Sequence, residues 1–159
     1  MLKEAALFID NYMNIRVAQK EDARAIAAQN MLLAEESEHM KLNPTTIRAG
    51  VRRLLADPSK GYYFVAEENG SIIGQLMITV EWSDWRNKPI WWVQSVFVQK
   101  EWRNKGVFTR LLRDVQKRAR SQHVAFLRLY AHHDNRPALR VYRKTGWKQE
   151  PYISLRLSV

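Results

Sequence analysis

The segment Val96-Phe97-Val98-Gln99-Lys100-Glu101-Trp102-Arg103-Asn104-Lys105-Gly106-Val107-Phe108 has the most chemical content in the chain. An apolar strand pattern runs into a basic turn, Gly106 permits close backbone approach, and the helical pattern that follows begins with free N–H groups. Amide donors at a helix N-terminus bind phosphate, and Arg103 and Lys105 add charge-assisted contacts, so the turn reads as an anion cradle. A glycine in a basic turn is also ordinary turn chemistry, and the segment alone leaves both readings open. A second group, Glu81-Trp82-Ser83-Asp84-Trp85-Arg86-Asn87-Lys88, interleaves carboxylates with aromatic faces. That combination attracts a cationic amine by charge and by cation–π contact, although Trp82 and Trp85 serve equally well as packing residues. Glu35, Glu36 and Glu38 can add acid from an earlier helix. His132 and His133 have the right unperturbed pKa for proton transfer, but their loop setting favours simple solvation.

The elements that must position these residues follow from periodicity. Asn14 to Ala18 reads as a first strand. Glu21 to about Ser37 sets Ala23, Ile26, Ala27, Asn30, Leu33 and Ala34 on one helical face. Asn43 can cap a second helix, with Pro44 at its first position and Ile47, Val51, Leu54 and Leu55 at helical intervals up to Asp57-Pro58. Tyr62 to Glu67 and Ser71 to Val80 flank Asn69-Gly70 and predict a hairpin. Ile90 to Val98 is apolar enough for a central strand covered on both faces, and Trp91 and Trp92 then point to opposite faces. Val107, Phe108, Leu111, Leu112, Val115 and Ala119 form a helical stripe opposite a basic face. Ala125 to Tyr130 predicts a fifth strand, Asn135 caps a last helix that Gly146 can close, and Tyr152 to Leu157 predicts a terminal strand. The order is β, α, α, β, β, β, α, β, α, β.

The length of 159 residues suits one domain. Residues 13–159 are expected to form it, with Met1 to Tyr12 as an N-terminal extension. With no cysteine, disulfides, thiolate metal sites and cysteine nucleophiles are excluded, and a cytoplasmic setting is the plain expectation. The apolar run Ala5 to Ile9 is too short for a signal sequence or a membrane span. The net charge of +10 is unevenly placed: Lys100 to Lys148 holds fourteen basic residues against three acidic ones, and the remainder is close to neutral. Such a block suits a polyanion, a phosphorylated cofactor or a solvated face.

Together, the element order and the turn resemble the GNAT superfamily of acyl-CoA-dependent N-acetyltransferases. The family's cofactor loop, Arg/Gln-x-x-Gly-x-Gly/Ala, is similar to Arg103-Asn104-Lys105-Gly106-Val107-Phe108, with Phe108 departing from the usual small residue. Further on, Asn135, Ala138, Tyr142 and Gly146-Trp147 match Asn-x-x-Ala-x-x-x-Tyr-x-x-x-Gly-Phe. The resemblance covers about Asn14 to Trp147. It implies an α/β (α+β) fold with a mixed, mostly antiparallel central sheet, helices on both faces, and strands 4 and 5 splayed apart.

By the same resemblance, acetyl-CoA is the co-substrate, with its pyrophosphate on Arg103 to Phe108. The backbone of Phe97 and Val98 would hold the pantetheine arm, and Asn135 would contact it. A fourth-strand amide would polarise the thioester, and Tyr142 would protonate the departing thiolate. No metal is implied. An alkyl ammonium leaves roughly one molecule in 2,500 neutral at pH 7, a penalty of about 4.6 kcal/mol if no base assists. Gln94 stands where many relatives place a glutamate, so Glu81 is the preferred base, ahead of Asp84, Glu35, Glu36, His132 and His133. Glu35, Trp82, Asp84 and Trp85 are the expected acceptor contacts.

The acceptor is a small-molecule or peptide amine of unspecified identity. A catalytically silent acyl-CoA-binding domain and a basic nucleic-acid-binding module are the alternatives. No nucleic-acid motif or Gly-x-x-x-x-Gly-Lys-Ser/Thr sequence is present. The tail after Gly146 is short for the family's terminal hairpin, which leaves room for a homodimer that completes the acceptor site.

Overall fold

A computed structural model describes residues 13–159, and the extension expected over Met1 to Tyr12 lies outside the described residues. In chain order the elements are β1 (Asn14–Val17), α1 (Ala23–Glu38), α2 (Pro44–Ala56), β2 (Tyr62–Glu68), β3 (Ser71–Ser83), β4 (Lys88–Val98), α3 (Val107–Ser121), β5 (Leu127–Arg128) and α4 (Arg136–Lys144). They form the expected mixed α/β architecture around one five-stranded sheet in the order β1-β2-β3-β4-β5. Every neighbouring pair is antiparallel except β4 and β5.

Local chemistry explains most boundaries. The Asn43 side chain accepts hydrogen bonds from the Thr45 and Thr46 amides at 3.0 Å, satisfying two of the orphan donors at the start of α2. Asn69 and Gly70 both have positive φ, as a two-residue hairpin turn requires, and join β2 to β3. Arg16 donates to Asp22 at 2.7 and 2.9 Å and to Glu67 at 2.7 Å. One guanidinium thereby ties β1 to the start of α1 and to β2.

The sheet has a helix layer on each face because β2 alternates. Tyr63 and Val65 pack with Ile26, Ala27 and Val51 of α1 and α2. Phe64 and Ala66 face the other way, against Val107, Leu111 and Val115 of α3. Phe64 is fully buried, and truncating such a residue to Ala costs about 3–5 kcal/mol. Gly74 of β3 lies directly under the start of α3: a Cβ there would come within 2.9 Å of Val107 Cγ1.

Beyond β4 the pairing is brief. Only Trp91–Leu127 and Trp92–Arg128 face each other across β4 and β5, so the two strands part along the rest of β4. This is the expected splay, and among the described residues Val93 to Val98 have no strand neighbour on that side. The fifth strand is therefore shorter than Ala125 to Tyr130. The terminal strand expected over Tyr152 to Leu157 does not form: residues 152–159 pair with no strand, and Tyr152, Ile153, Leu155 and Leu157 are exposed. Strand β5 is the sheet edge nearest this segment, yet the contact between them is the Arg128–Glu150 ion pair at 2.8 Å, and Pro151, which follows, has no N–H to start a ladder.

Candidate active site

The basic turn leads into the N-terminus of α3 through two residues of positive φ. Asn104 and Gly106 adopt left-handed backbone conformations, with φ of 62° and 82°. Gly106 is the N-cap of α3 and provides no side-chain cap, and no acidic residue occupies the first turn. Among the described residues the leading amides of α3 have no side-chain acceptor, and a Cβ at Gly106 would meet nothing within 4 Å. Arg103 stands at the mouth. Its Nε donates to the Val98 carbonyl at 2.8 Å, its Nη2 to Glu36 at 2.7 Å, and the guanidinium lies 5.4 Å from the Phe97 ring centre. Lys105 lies over Trp102 at 4.9 Å.

Phe108 is buried on α3 and meets Tyr142 of α4 edge-on at 5.6 Å, so the large residue at this loop position packs against the tyrosine. Trp147 bounds the other side of Tyr142 at 6.1 Å. Burial pushes the Tyr142 phenol up to about 12, which keeps its proton in place at neutral pH. Asn135 caps α4 by accepting from the Ala138 amide at 3.2 Å.

A groove of about 1440 Å³ runs from Tyr142 past β5 to the turn between β3 and β4. Tyr142, Glu81, Trp82, Asp84 and Trp85, which lie far apart in sequence, all line it, and no residue from Phe97 to Phe108 does. Glu81 accepts from Trp92 Nε1 at 2.5 Å and lies 4.0 Å from Arg128. Trp82 and Trp85 are exposed, with Trp85 89% accessible, so neither is a core residue. Trp91 is buried under α3 while Trp92 faces Tyr130 and Glu81, the opposite orientations that strand alternation predicts. Glu35 is exposed on α1 and lines neither this groove nor the cavity described next. Glu36 is engaged by Arg103 and Lys100 instead. Gln94 donates to Thr79 Oγ1 at 2.7 Å. His132 and His133 are exposed, stack at 4.6 Å and share Asp134.

Sequence reasoning missed a polar chain on the α1 face. Ser95 and Val96 of β4 together oppose Leu76 of β3, and Ser95 takes a left-handed φ of 49° at this bulge. Beside it, Gln75 donates to Asn30 Oδ1 at 2.8 Å, and Asn30 donates to the Tyr63 hydroxyl at 2.9 Å. Gln75 is fully buried, and its Oε1 has no partner among the described residues. Asn30, Tyr63 and Ser95 form the polar floor of a mainly apolar cavity of about 380 Å³ under α1 and α2. No local motif marks these residues; the one sequence signal was a polar Asn30 on an apolar helix face.

Residues 22–147 match the model of the Acetyltransferase (GNAT) family. The chain is 29% identical over 140 residues to the uncharacterized N-acetyltransferase YhfO of Bacillus subtilis (strain 168), covering 87% of this chain and 91% of that one. The structure of a possible acetyltransferase from Clostridium difficile 630 superposes with a TM-score of 0.87 at 34% identity, over 93% of this chain and 98% of that one. A predicted acetyltransferase with acetyl-CoA from Clostridium acetobutylicum shares the fold, with a TM-score of 0.73 at 21% identity over 91% and 96% of the two chains. The chain belongs to the GNAT acetyltransferase family.

Proposed function

We propose that this acetyltransferase moves the acetyl group of acetyl-CoA directly to an amine, with both substrates bound at once. The observation that carries the reading is the single groove shared by Tyr142, Glu81, Trp82, Asp84 and Trp85. The cofactor pyrophosphate rests on the turn from Arg103 to Phe108, where open amides and two cations meet. The arm follows Phe97 and Val98 along the stretch of β4 that β5 leaves unpaired, with Asn135 beside it.

In the chemical step the amine nitrogen bonds to the acetyl carbon and the carbon–sulfur bond breaks. A β4 amide stabilises the oxyanion. Tyr142 gives its proton to the leaving sulfur, and Glu81 takes one from the amine. Asp84, Trp82 and Trp85 attract the cationic acceptor, a small molecule or a peptide, and Glu35 adds negative charge from α1. No helix among the described residues is long and apolar enough to cross a membrane; with the absence of cysteine, this supports a cytoplasmic setting. A turnover screen of amines with acetyl-CoA, reading released thiol, tests the proposal.

A second reading, an acyl-CoA-binding domain without turnover, is favoured by one observation: Glu81 is already engaged by Trp92 and sits near Arg128. Retained CoA binding with no thiol release from any amine supports that reading.

A further inference from the structure

Strand β4 changes step in its middle. Trp91 and Val93 before the bulge, and Val96 and Val98 after it, all pack in the core under α3. Residues 93 and 96 are three apart, and a regular strand sends such a pair to opposite faces. The core therefore demands one extra residue between them, but it is indifferent to whether Gln94 or Ser95 takes the unusual backbone. Ser95 takes it, with φ of 49°. A bulge with a left-handed residue normally places glycine there, because a Cβ in that region crowds the following carbonyl. Serine holds such a conformation only where its surroundings over-determine it.

Those surroundings are a closed polar ring drawn from four elements. Gln75 Nε2 of β3 donates to Asn30 Oδ1 of α1 at 2.8 Å and to the Ser95 carbonyl at 3.5 Å. Asn30 Nδ2 donates to the Tyr63 hydroxyl of β2 at 2.9 Å, and the Ser95 side chain is a further hydrogen-bond partner of that phenol. Ser95 is thus held at both its carbonyl and its side chain. Gln75 is 0% exposed, Tyr63 2% and Asn30 6%, yet Gln75 Oε1 has no partner among the described residues. An apolar residue of similar shape would avoid that unsatisfied acceptor, so stability alone does not account for a glutamine here.

We infer that Gln75, Asn30 and Tyr63 are positioning residues that fix the left-handed turn at Ser95, and so decide which β4 amide leaves the ladder to meet the acetyl carbonyl. This role presupposes the acetyl transfer proposed for the site. A bulge leaves its extra residue unpaired, and among the described residues Val93 to Val98 have no strand neighbour on the β5 side. Moving the turn from Ser95 to Gln94 would shift the released amide by one residue, about 3.3 Å along the strand. A donor displaced that far no longer reaches an oxygen it held at about 2.9 Å.

The carbonyl stretch of bound, isotopically labelled acetyl-CoA, read by difference infrared spectroscopy, tests the inference without turnover or an acceptor. In the wild type a hydrogen bond from β4 lowers the stretch below that of free acetyl-CoA. Gln75→Met fills the same space without polar atoms, so the fold and CoA affinity should persist while the stretch returns toward the free value. With a competent amine its kcat should fall at least about tenfold at unchanged KM for acetyl-CoA, part of the ~100- to 1,000-fold that a lost oxyanion donor costs. Adding Ser95→Gly should restore the lowered stretch and bring kcat to within about threefold of wild type, because glycine takes the left-handed backbone unaided. A mere packing defect at Gln75 would not be repaired by deleting a second side chain. Tyr63→Phe, which removes one hydroxyl, should move the stretch in the same direction as Gln75→Met and provides the test if that variant does not fold. A wild type that fails to bind acetyl-CoA removes the acetyl-transfer reading and this inference with it. Binding without a lowered stretch, a stretch indifferent to these substitutions, or a loss that Ser95→Gly does not restore overturns the inference alone.

Discussion

Arg103 and Glu36 are joined at 2.7 Å, so the cation at the mouth of the proposed phosphate cradle is already answered by a carboxylate from α1. Lys100 lies 3.6 Å from the same carboxylate. A pyrophosphate drawing on Arg103 competes with Glu36 for it. Partly exposed ion pairs contribute about 0.2–1 kcal/mol, so Glu36→Gln should tighten CoA binding by about 1.5- to 5-fold at low salt, measured by calorimetry. Weaker binding in this variant would instead mean that Glu36 holds Arg103 in its productive position.

At Gly106 charge and backbone strain can be separated. The residue has φ of 82°, which Asn and Asp tolerate better than other side chains, and among the described residues a Cβ there meets nothing within 4 Å. Gly106→Asp and Gly106→Asn should therefore lose similar stability. Only the aspartate places a negative charge before the α3 amides, so its CoA affinity should fall at least tenfold further than that of the asparagine variant, on the order of the 1.4 kcal/mol that one such charge contact supplies. Equal affinities would remove the pyrophosphate from this turn.

Tyr142→Phe should lower kcat by roughly 100- to 10,000-fold, the usual contribution of general acid catalysis, with CoA affinity little changed. The ring contacts to Phe108 and Trp147 do not need the hydroxyl. Because burial holds the wild-type phenol near 12, its deprotonation should leave no descending limb in the kcat profile below about pH 11. A loss of rate starting near the ordinary phenol range would argue that Tyr142 is solvated when the reaction occurs.

The element order and most boundaries were legible because their signals are local. Asn43 before Pro44 states a cap, Asn69-Gly70 states a turn, and the apolar stripe from Val107 states a helix resting on the sheet. That Arg103 to Gly106 is a turn running into a helix was legible for the same reason. What sequence could not supply was assembly across elements. The Asn30, Tyr63 and Gln75 chain joins one helix and two strands, and Ser95 enters it through a bulge that no residue type announces. Tyr152 to Leu157 failed for a different reason: alternation states which side chains share a face, not whether the backbone engages the β5 edge, and here it does not.

Acid sensitivity should centre on Asp22. The Arg16 guanidinium holds this carboxyl below the usual carboxylate range, so its contribution to stability is complete above its unfolded pKa near 3.9 and is lost as pH falls through the lower folded value. Asp22→Asn should cost about 1.5–3 kcal/mol at pH 7, the range for hydrogen bonds to a charged group. Urea denaturation at neutral and acidic pH should show the wild type and the variant converging as acid is added. A constant gap between them would place the acid lability elsewhere.

Gly74 gives the proposed site two independent controls. The first turn of α3 can sit as low on the sheet as it does because β3 presents no methyl beneath Val107. Helix height, and with it the aim of the leading amides, is therefore fixed by a residue some thirty positions upstream of the loop. Asn104 and Lys105 are exposed and make no comparable contact with the sheet. Sequence drift in the loop can adjust charge while leaving the donors aligned, whereas a change at Gly74 would tilt the donors and leave the charge untouched.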